Sequence, residues 1–120
     1  MDEVELYTHR KKLFTCRLHN TFLSRLRGLM FASQLKIGEG VLLSFPSEQQ
    51  IDLHMLFVFF PLDLVWINGS GRIVQIERHV QPFMWHVRGT RAQSVLEVKA
   101  GATRDLRVGD LLTIKLTREN

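Results

Sequence analysis

One carboxylate of the sequence lies where water should be scarce. Asp63 belongs to the most apolar stretch of the chain, residues 54–67, and follows Pro61 by two positions. Because proline cannot donate to a central sheet but can begin a strand, the pattern predicts a buried strand that starts after Pro61. A buried carboxylate needs a cation or several hydrogen-bond donors. We therefore expect an arginine or backbone donors to hold Asp63, and ligand binding is the alternative role.

Two arginines are candidate partners for Asp63 or for an anionic ligand. Arg25 and Arg27 lie two positions apart in a helical pattern, so they point to different faces and at most one of them can turn inward. A guanidinium pairs with a carboxylate in bidentate geometry and keeps its charge when it is partly buried. One hypothesis has an arginine reaching Asp63 or a ligand, and the other has two arginines on the surface.

A carboxylate and an imidazole alternate with apolar residues just before the apolar stretch. Asp52 and His54 should face the same way on an extended segment. Such a pair can act as acid and base or as half of a metal site, although two polar residues on a solvated strand face are the commoner case. Glu97, in a later alternating segment, is expected to be solvated. The candidate ligand-binding residues, near the mouth of a pocket at one end of the sheet, are Arg27, His54, Met55, Asp63 and Glu97.

The cysteine and histidine positions argue against a metal centre or a nucleophile. The chain has one cysteine, Cys16, which excludes an intrachain disulfide and a cysteine-rich zinc site. The alternation of residues 12–18 places Cys16 on an apolar strand face, where a thiol is inert packing. The five histidines, at positions 9, 19, 54, 79 and 86, match no standard ligand spacing, and no nucleophile-elbow or Walker-type motif occurs. We predict no catalytic residue, no metal and no cofactor.

Composition and charge narrow the class of protein. At 120 residues and 45% hydrophobic content, residues 1–120 are predicted to form a single domain with its own core. The net charge of +4 is scattered and is not interleaved with aromatic residues, which argues against anything more than weak nucleic-acid binding. The acidic start lacks an apolar run, and no stretch approaches the roughly 20 apolar residues of a membrane span. We expect a cytoplasmic protein, a monomer or weak dimer, without membrane contact.

The elements that must position these residues are mostly short strands. A helix should begin at Asn20 or Thr21 and end at Gly28, because helix-capping residues and an apolar periodicity coincide there. Residues 62–77 predict a hairpin whose turn is Asn-Gly-Ser-Gly. Six or seven short strands joined by turns predict a β-rich α+β fold, a small antiparallel barrel-like sheet with one main helix that plugs an end or covers a face. Residues 102–107 can form one or two helical turns. Residues 83–86 can be core, a packed loop or an exposed patch.

An ordered set of motifs resembles the DUF192 family of uncharacterised conserved proteins. These motifs are Arg25-Leu26-Arg27-Gly28-Leu29-Met30-Phe31, Gly40-Val41-Leu42-Leu43, Met55, Pro61-Leu62-Asp63, Gly71-Arg72-Ile73-Val74, Val95-Leu96-Glu97-Val98, Ala100-Gly101 and Gly109-Asp110. The resemblance implies a compact β-rich fold, similar to a barrel with a helix, and it implies no activity. Relatives typically carry Phe-Trp-Met-Lys-Asn before the Pro-Leu-Asp motif, and many have export signals. This chain has Leu-His-Met-Leu-Phe at residues 53–57, which keeps only the methionine.

Three classes of function remain open. The first is a non-catalytic binding module for a small polar or anionic ligand or a peptide, bound in a pocket at the end of the sheet. The second is a small hydrolase or metal-dependent enzyme that uses His54 with Asp52, Asp63 or Glu97. The third is a weak nucleic-acid binder. The missing catalytic motifs favour the first class.

Overall fold

The structure, a computed structural model, describes residues 2–118 and contains seven strands and one short helix in that range. In chain order these are β1 (Glu3–Thr8), β2 (Lys11–His19), α1 (Phe22–Arg27), β3 (Glu39–Gln50), β4 (Leu62–Ile67), β5 (Ile73–Val80), β6 (Arg91–Lys99) and β7 (Thr113–Arg118). The expectation of a mostly β fold with one main helix is confirmed. Within the described residues, no helix is long and apolar enough to cross a membrane.

The strands form one mixed sheet in the order β5-β4-β6-β3-β2-β1-β7. Five of its neighbouring pairs are antiparallel, whereas β2 and β3 are parallel. The prediction of an entirely antiparallel sheet is therefore wrong at this pair. A parallel pair needs a crossover of a dozen or more residues, and α1 with the long connection after it, residues 20–38, provides one.

The sheet is not closed, since β5 and β7 are its two edges. Residues before each edge strand meet at one end of the sheet. The Ile73 amide donates to the Asp110 carbonyl at 2.9 Å, and the Leu112 amide donates to the Gly71 carbonyl at 2.8 Å. These bonds satisfy part of an otherwise open edge, which is the purpose that full closure would serve.

Two buried clusters cover the two faces of the central strands. All six residues of β4 are buried, and its side chains alternate between the faces. Leu62, Leu64 and Trp66 pack in one cluster, which also contains Met55. Val65 joins the other cluster with Phe14, Cys16 and Leu96. A strand with apolar residues on both faces reads as a continuous hydrophobic run, which is why the sequence identified β4 well.

Helix α1 lies on the surface. Thr21 is the N-cap and forms a capping box with Ser24, and Gly28 ends the helix with its amide bonded to the Ser24 carbonyl. These boundaries confirm the capping prediction. No residue of α1 is buried, so the helix does not plug the sheet. Residues 100–105 form turns and not the predicted helical turns, because the amides of Gly101 and Thr103 point to a side chain of β4.

We expect Cys16 to be chemically silent in the folded protein. Its side chain is 1% exposed, and burial raises the pKa of the thiol to about 12. The thiolate is the nucleophile that attacks thiol reagents, so modification should be slow at neutral pH and become fast only on unfolding. Cys16→Ala should cost about 1 kcal/mol of unfolding free energy. Rapid labelling of the native protein by an aromatic disulfide reagent, monitored by absorbance, would contradict this expectation.

Candidate functional site

A cavity of about 390 Å³ opens between α1 and the core. Its walls come from α1 and the turn after it, from β3, and from the loop at residues 52–58, with one residue each from β4 and β6. Most of the lining is apolar: Phe22, Leu26, Leu29, Met30, Leu43, Phe45, Pro46, Leu53, Met55, Val58 and Leu62. A concave, mainly apolar site with a few polar groups is the usual form of a small-molecule pocket.

Four of the five predicted site residues come together in this cavity. Arg27, His54, Met55 and Glu97 line it, whereas Asp63 does not. Residues far apart in the chain meet here because the crossover lays the turn after α1 over the end of β6. The turn at Gly28 makes this approach close, since a β-carbon placed there would lie 3.2 Å from Glu97 Oε1.

Glu97 is buried, contrary to the expectation that it is solvated. It is 5% exposed, and its Oε1 atom is buried without a hydrogen-bond partner in the described structure. The strand β6 lies between β4 and β3, and both of its faces are packed, since Val95 belongs to one buried cluster and Leu96 to the other. Burial alone raises the pKa of Glu97 to about 7. The cavity thus contains a carboxyl group that titrates near neutral pH.

The imidazole of His54 is fixed by the backbone. Its Nδ1 atom accepts from the Leu56 amide at 3.1 Å, which leaves the proton on Nε2, 3.3 Å from the Leu26 carbonyl oxygen. His54 therefore ties the loop to the end of α1. Both nitrogens are used, so neither is free to act as a base in the cavity.

Asp52 pairs with a different histidine. Its Oδ2 atom lies 3.0 Å from Nε2 of His86, and Oδ1 accepts from the Gly89 amide at 3.0 Å and from Gln50 Nε2 at 2.9 Å. The hydrogen bond to His86, then those to Gln50 and Gly89, lower the pKa of Asp52. Asp52 and His54 therefore do not form the acid and base pair that was the less favoured alternative. The Asp52–His86 pair joins two loops at the surface.

Neither arginine meets Asp63. Arg25 Nη1 donates to the carbonyls of Asn20 at 2.8 Å and Ser44 at 3.0 Å, and its guanidinium lies 4.6 Å from the centroid of Phe45. Arg25 therefore fastens α1 to β3. Arg27 is exposed beside the cavity. The hypothesis that an arginine reaches Asp63 is wrong for both residues, and the acceptors of Arg25 are carbonyl oxygens.

Backbone donors and a threonine hold Asp63. Backbone donors were one of the two kinds of partner expected for this carboxylate. Oδ1 accepts from the His79 amide at 2.9 Å. Oδ2 accepts from the amides of Gly101 at 3.1 Å and Thr103 at 3.2 Å and from the Thr103 hydroxyl at 2.6 Å. Asp63 is fully buried, so these four donors replace water. This carboxylate joins β4 to the start of the turn after β6 and to the end of β5.

An exposed aromatic cluster borders the cavity. It consists of Phe31, Phe57, Phe59 and Phe83, whose neighbouring ring centroids lie 4.9–6.3 Å apart. Three of these phenylalanines, all but Phe59, have φ between 57° and 63°, an unusual conformation for a large residue. The same stretch of chain contributes to the cavity and to the cluster. Val58 lines the cavity, and its sequence neighbours Phe57 and Phe59 belong to the cluster. Of the three interpretations of residues 83–86, the exposed patch is the one observed.

Within residues 2–118, no three histidine, cysteine, aspartate or glutamate side chains lie together as metal ligands would. The cavity therefore supplies one buried carboxyl group and an apolar wall, with Asp52 directed toward His86 and Gly89. Coordination by several protein ligands, as in zinc or calcium sites, has no counterpart in this arrangement.

The model of the DUF192 family, described as "Uncharacterized ACR", matches residues 4–114. The chain belongs to the DUF192 family. A UPF0127 protein of Thermococcus kodakarensis is 29% identical over 105 residues, which cover 86% of this chain and 66% of that protein. A UPF0127 protein of Thermococcus gammatolerans is 28% identical over 108 residues, covering 85% and 67%. The chain thus spans about two thirds of the length of these relatives.

Two solved structures share the DUF192 fold seen here. One, from Sinorhizobium meliloti 1021, is called a "putative transcription regulator"; it has a TM-score of 0.80 and 24% identity, with coverage of 96% of this chain and 92% of the other. The second is a protein of unknown function from Novosphingobium aromaticivorans DSM 12444, with a TM-score of 0.81, 21% identity and coverage of 92% and 83%. At these identities the likeness establishes the fold alone.

The departure from the DUF192 motif lies beside the cavity. Met55, the residue kept from the Phe-Trp-Met-Lys-Asn run, is buried in the cavity wall. Leu56 and Phe57, which follow Met55, are exposed and outside the lining. They form an apolar surface, and Phe57 belongs to the aromatic cluster.

Proposed function

We propose that this DUF192 protein is a non-catalytic binding module. Its cavity holds a small polar ligand, or one side chain of a peptide, whose apolar part contacts the cavity wall and whose polar group contacts Glu97. Arg27, His54, Met55 and Glu97 are the binding residues of this proposal. Asp63 is assigned to the fold, because four donors already occupy its oxygens.

The observation that carries the proposal is the unpartnered Oε1 atom of Glu97 in a preformed apolar cavity. Buried polar atoms nearly always have partners, and an exception needs an explanation. A ligand with a hydrogen-bond donor supplies one. The cavity is also held in shape by contacts that need no ligand, namely the bonds from Arg25 to Ser44 and from His54 to Leu26.

The two alternatives have less support. The enzyme hypothesis used His54 as a base, and the backbone engages both of its ring nitrogens. Nucleic-acid binding rests on a scattered net charge of +4, and the likeness to a structure called a "putative transcription regulator" does not transfer function. A single domain over residues 1–120, a cytoplasmic location and a monomeric or weakly dimeric state remain predictions.

Methyl NMR of the methionines tests the proposal. Met30 and Met55 line the cavity, whereas Met84 is exposed outside it. We expect at least one of a set of four-carbon alcohols, amines and carboxylates to shift the Met30 and Met55 methyl signals with millimolar affinity, about −4 kcal/mol. The Met84 signal should stay unchanged. The proposal fails if no member of the set moves the Met55 signal more than that of Met84.

Two exposed leucines of α1 form a matched pair for this experiment. Leu26 is 53% exposed and lines the cavity, while Leu23 is 73% exposed and does not. Leu26→Ala should weaken binding about fivefold, because it removes roughly 1 kcal/mol of apolar contact. Leu23→Ala should leave the affinity unchanged. Equal effects of the two substitutions would argue against binding in the cavity.

A further inference from the structure

Resting on the proposed function, we propose that the ligand carries a protonated amine and that the carboxylate of Glu97 is its counter-ion. The ligand class is thus a short alkylammonium, either a small amine or the side chain of a peptide lysine. The chemistry of the cavity supports this choice over an anion or a neutral polar group, in the following steps.

The first step is that the chain supplies no cation to Glu97. In the described structure no lysine, arginine or histidine forms an ion pair with it. Arg25 is engaged by two carbonyl oxygens, the ring nitrogens of His54 are engaged by the backbone, and Arg27, which also lines the cavity, is exposed. The shifted pKa of Glu97 has burial as its cause, without a contribution from a neighbouring charge. A ligand cation would provide the missing partner.

The second step is the polarity of the cavity. Leu43, Met55 and Leu62 line it together with Glu97, and its volume of about 390 Å³ accommodates a short alkyl chain. An alkyl chain of four carbons suits such walls. An ammonium is compact and has three donors, so it can bond to Oε1 and still reach other acceptors. A ligand carboxylate would face a carboxyl group of the same charge.

The third step is the pH dependence that this pairing requires. Only ionised Glu97 pairs with an ammonium, so affinity should rise with pH through the pKa of about 7. Other titratable or charged groups lining the cavity are Arg25 and Arg27 from α1 and Asp52 and His54 from the loop. The pKa of Asp52 is lowered by His86, so Asp52 remains ionised in this range. Between pH 6 and pH 8 the amine affinity should increase about tenfold.

A matched series of probes tests the inference. n-Butylammonium, n-butanol and butyrate share one alkyl chain and differ in the head group. At pH 8 we expect n-butylammonium to shift the Met55 methyl signal with at least tenfold higher affinity than n-butanol, and butyrate to bind most weakly. Glu97→Gln should weaken n-butylammonium binding at least tenfold and leave n-butanol binding unchanged. Asp105→Asn, which removes an exposed carboxylate outside the cavity lining, is the control and should change neither affinity.

The outcomes separate the two proposals. If n-butanol or butyrate binds as tightly as n-butylammonium, or if Glu97→Gln retains amine binding, the ammonium inference is overturned and the binding module stands. If none of the three probes moves the Met55 signal, both proposals fail. The pH profile of the unmodified protein requires no variant. An amine affinity that is constant from pH 6 to pH 8 overturns the inference by itself.

Discussion

Asp63→Ala is expected to lower the free energy of unfolding by about 3–5 kcal/mol. The substitution leaves the amides of His79, Gly101 and Thr103 and the Thr103 hydroxyl without their acceptor. The Thr103 donors lie in a buried region, and each unsatisfied buried donor costs about 1–3 kcal/mol. Because the four donors come from two segments that flank β4, their loss should loosen the junction of β5 with the turn after β6. Chemical denaturation at pH 7 measures the change.

Four further variants sharpen this measurement. Asp63→Asn keeps one oxygen but turns an amide group toward other donors, so its loss should be intermediate. Thr103→Val removes the shortest of the four hydrogen bonds, at 2.6 Å, and should cost about 1–2 kcal/mol. Combined with Asp63→Ala it should add little, because the two residues share one network. Asp105→Ala, at an exposed position in the same region, is the control. A loss below about 0.5 kcal/mol for Asp63→Ala would contradict a structural role.

The sequence predicted that Asp63 needed donors but could not identify them. Pro61 and the apolar run show that the carboxylate is buried. Its donors follow it by 16–40 positions, so only the pairing of β4 with β5 and β6 brings them near. Thr103 has no local signal, since its neighbours form a turn of small and charged residues. Long-range register is a property of the whole sheet, and a local pattern does not contain it.

For Glu97 the sequence predicted the strand correctly but not the burial of the side chain. Alternation within residues 94–99 correctly indicates a strand, and it leaves open whether each face is covered. Glu97 lies in β6, the third strand of the sheet order, under the turn after α1, and that position depends on the parallel crossover that the sequence did not reveal. Gly28 was identified as a helix end, but its close approach to Glu97 was not.

The apolar stretch at residues 54–67 has a uniform composition, but in the structure it consists of two different parts. From Leu62 onward it is a buried strand, as predicted. Before Pro61 it is a loop in which Met55, Val58 and Phe60 are buried while Phe57 and Phe59 are exposed. Hydrophobicity alone cannot separate these two groups. The loop owes its shape to backbone bonds with the segment around Phe83, in which the Phe83 amide donates to the Met55 carbonyl at 2.8 Å.

Raising the pH from 4 to 8 should remove roughly 3 kcal/mol of the stability that depends on Glu97. Burial raises the pKa of this carboxyl from its ordinary value of 4.5 to about 7 in the folded protein. Below pH 4.5 both folded and unfolded chains hold the proton, and this contribution is fully present. Between pH 4.5 and pH 7 the unfolded chain releases the proton while the folded chain keeps it, so stability falls as pH rises. Above pH 7 both forms are ionised and the loss is complete.

Glu97→Gln isolates this effect, since the amide has the same shape and does not titrate. The measurement is the free energy of unfolding of both proteins at pH 4, 6 and 8, and the difference between them should change by roughly 3 kcal/mol in favour of glutamine as pH rises. His19 is buried and burial lowers its pKa, so it gives the opposite slope in both proteins and cancels in the difference. Ionised Glu97 lowers the free energy of unfolding near neutral pH. A destabilising carboxyl group of this kind is expected where it binds a ligand and does not stabilise the fold. A difference constant within about 0.5 kcal/mol from pH 4 to pH 8 would show that Glu97 ionises as freely in the folded chain as in the unfolded one.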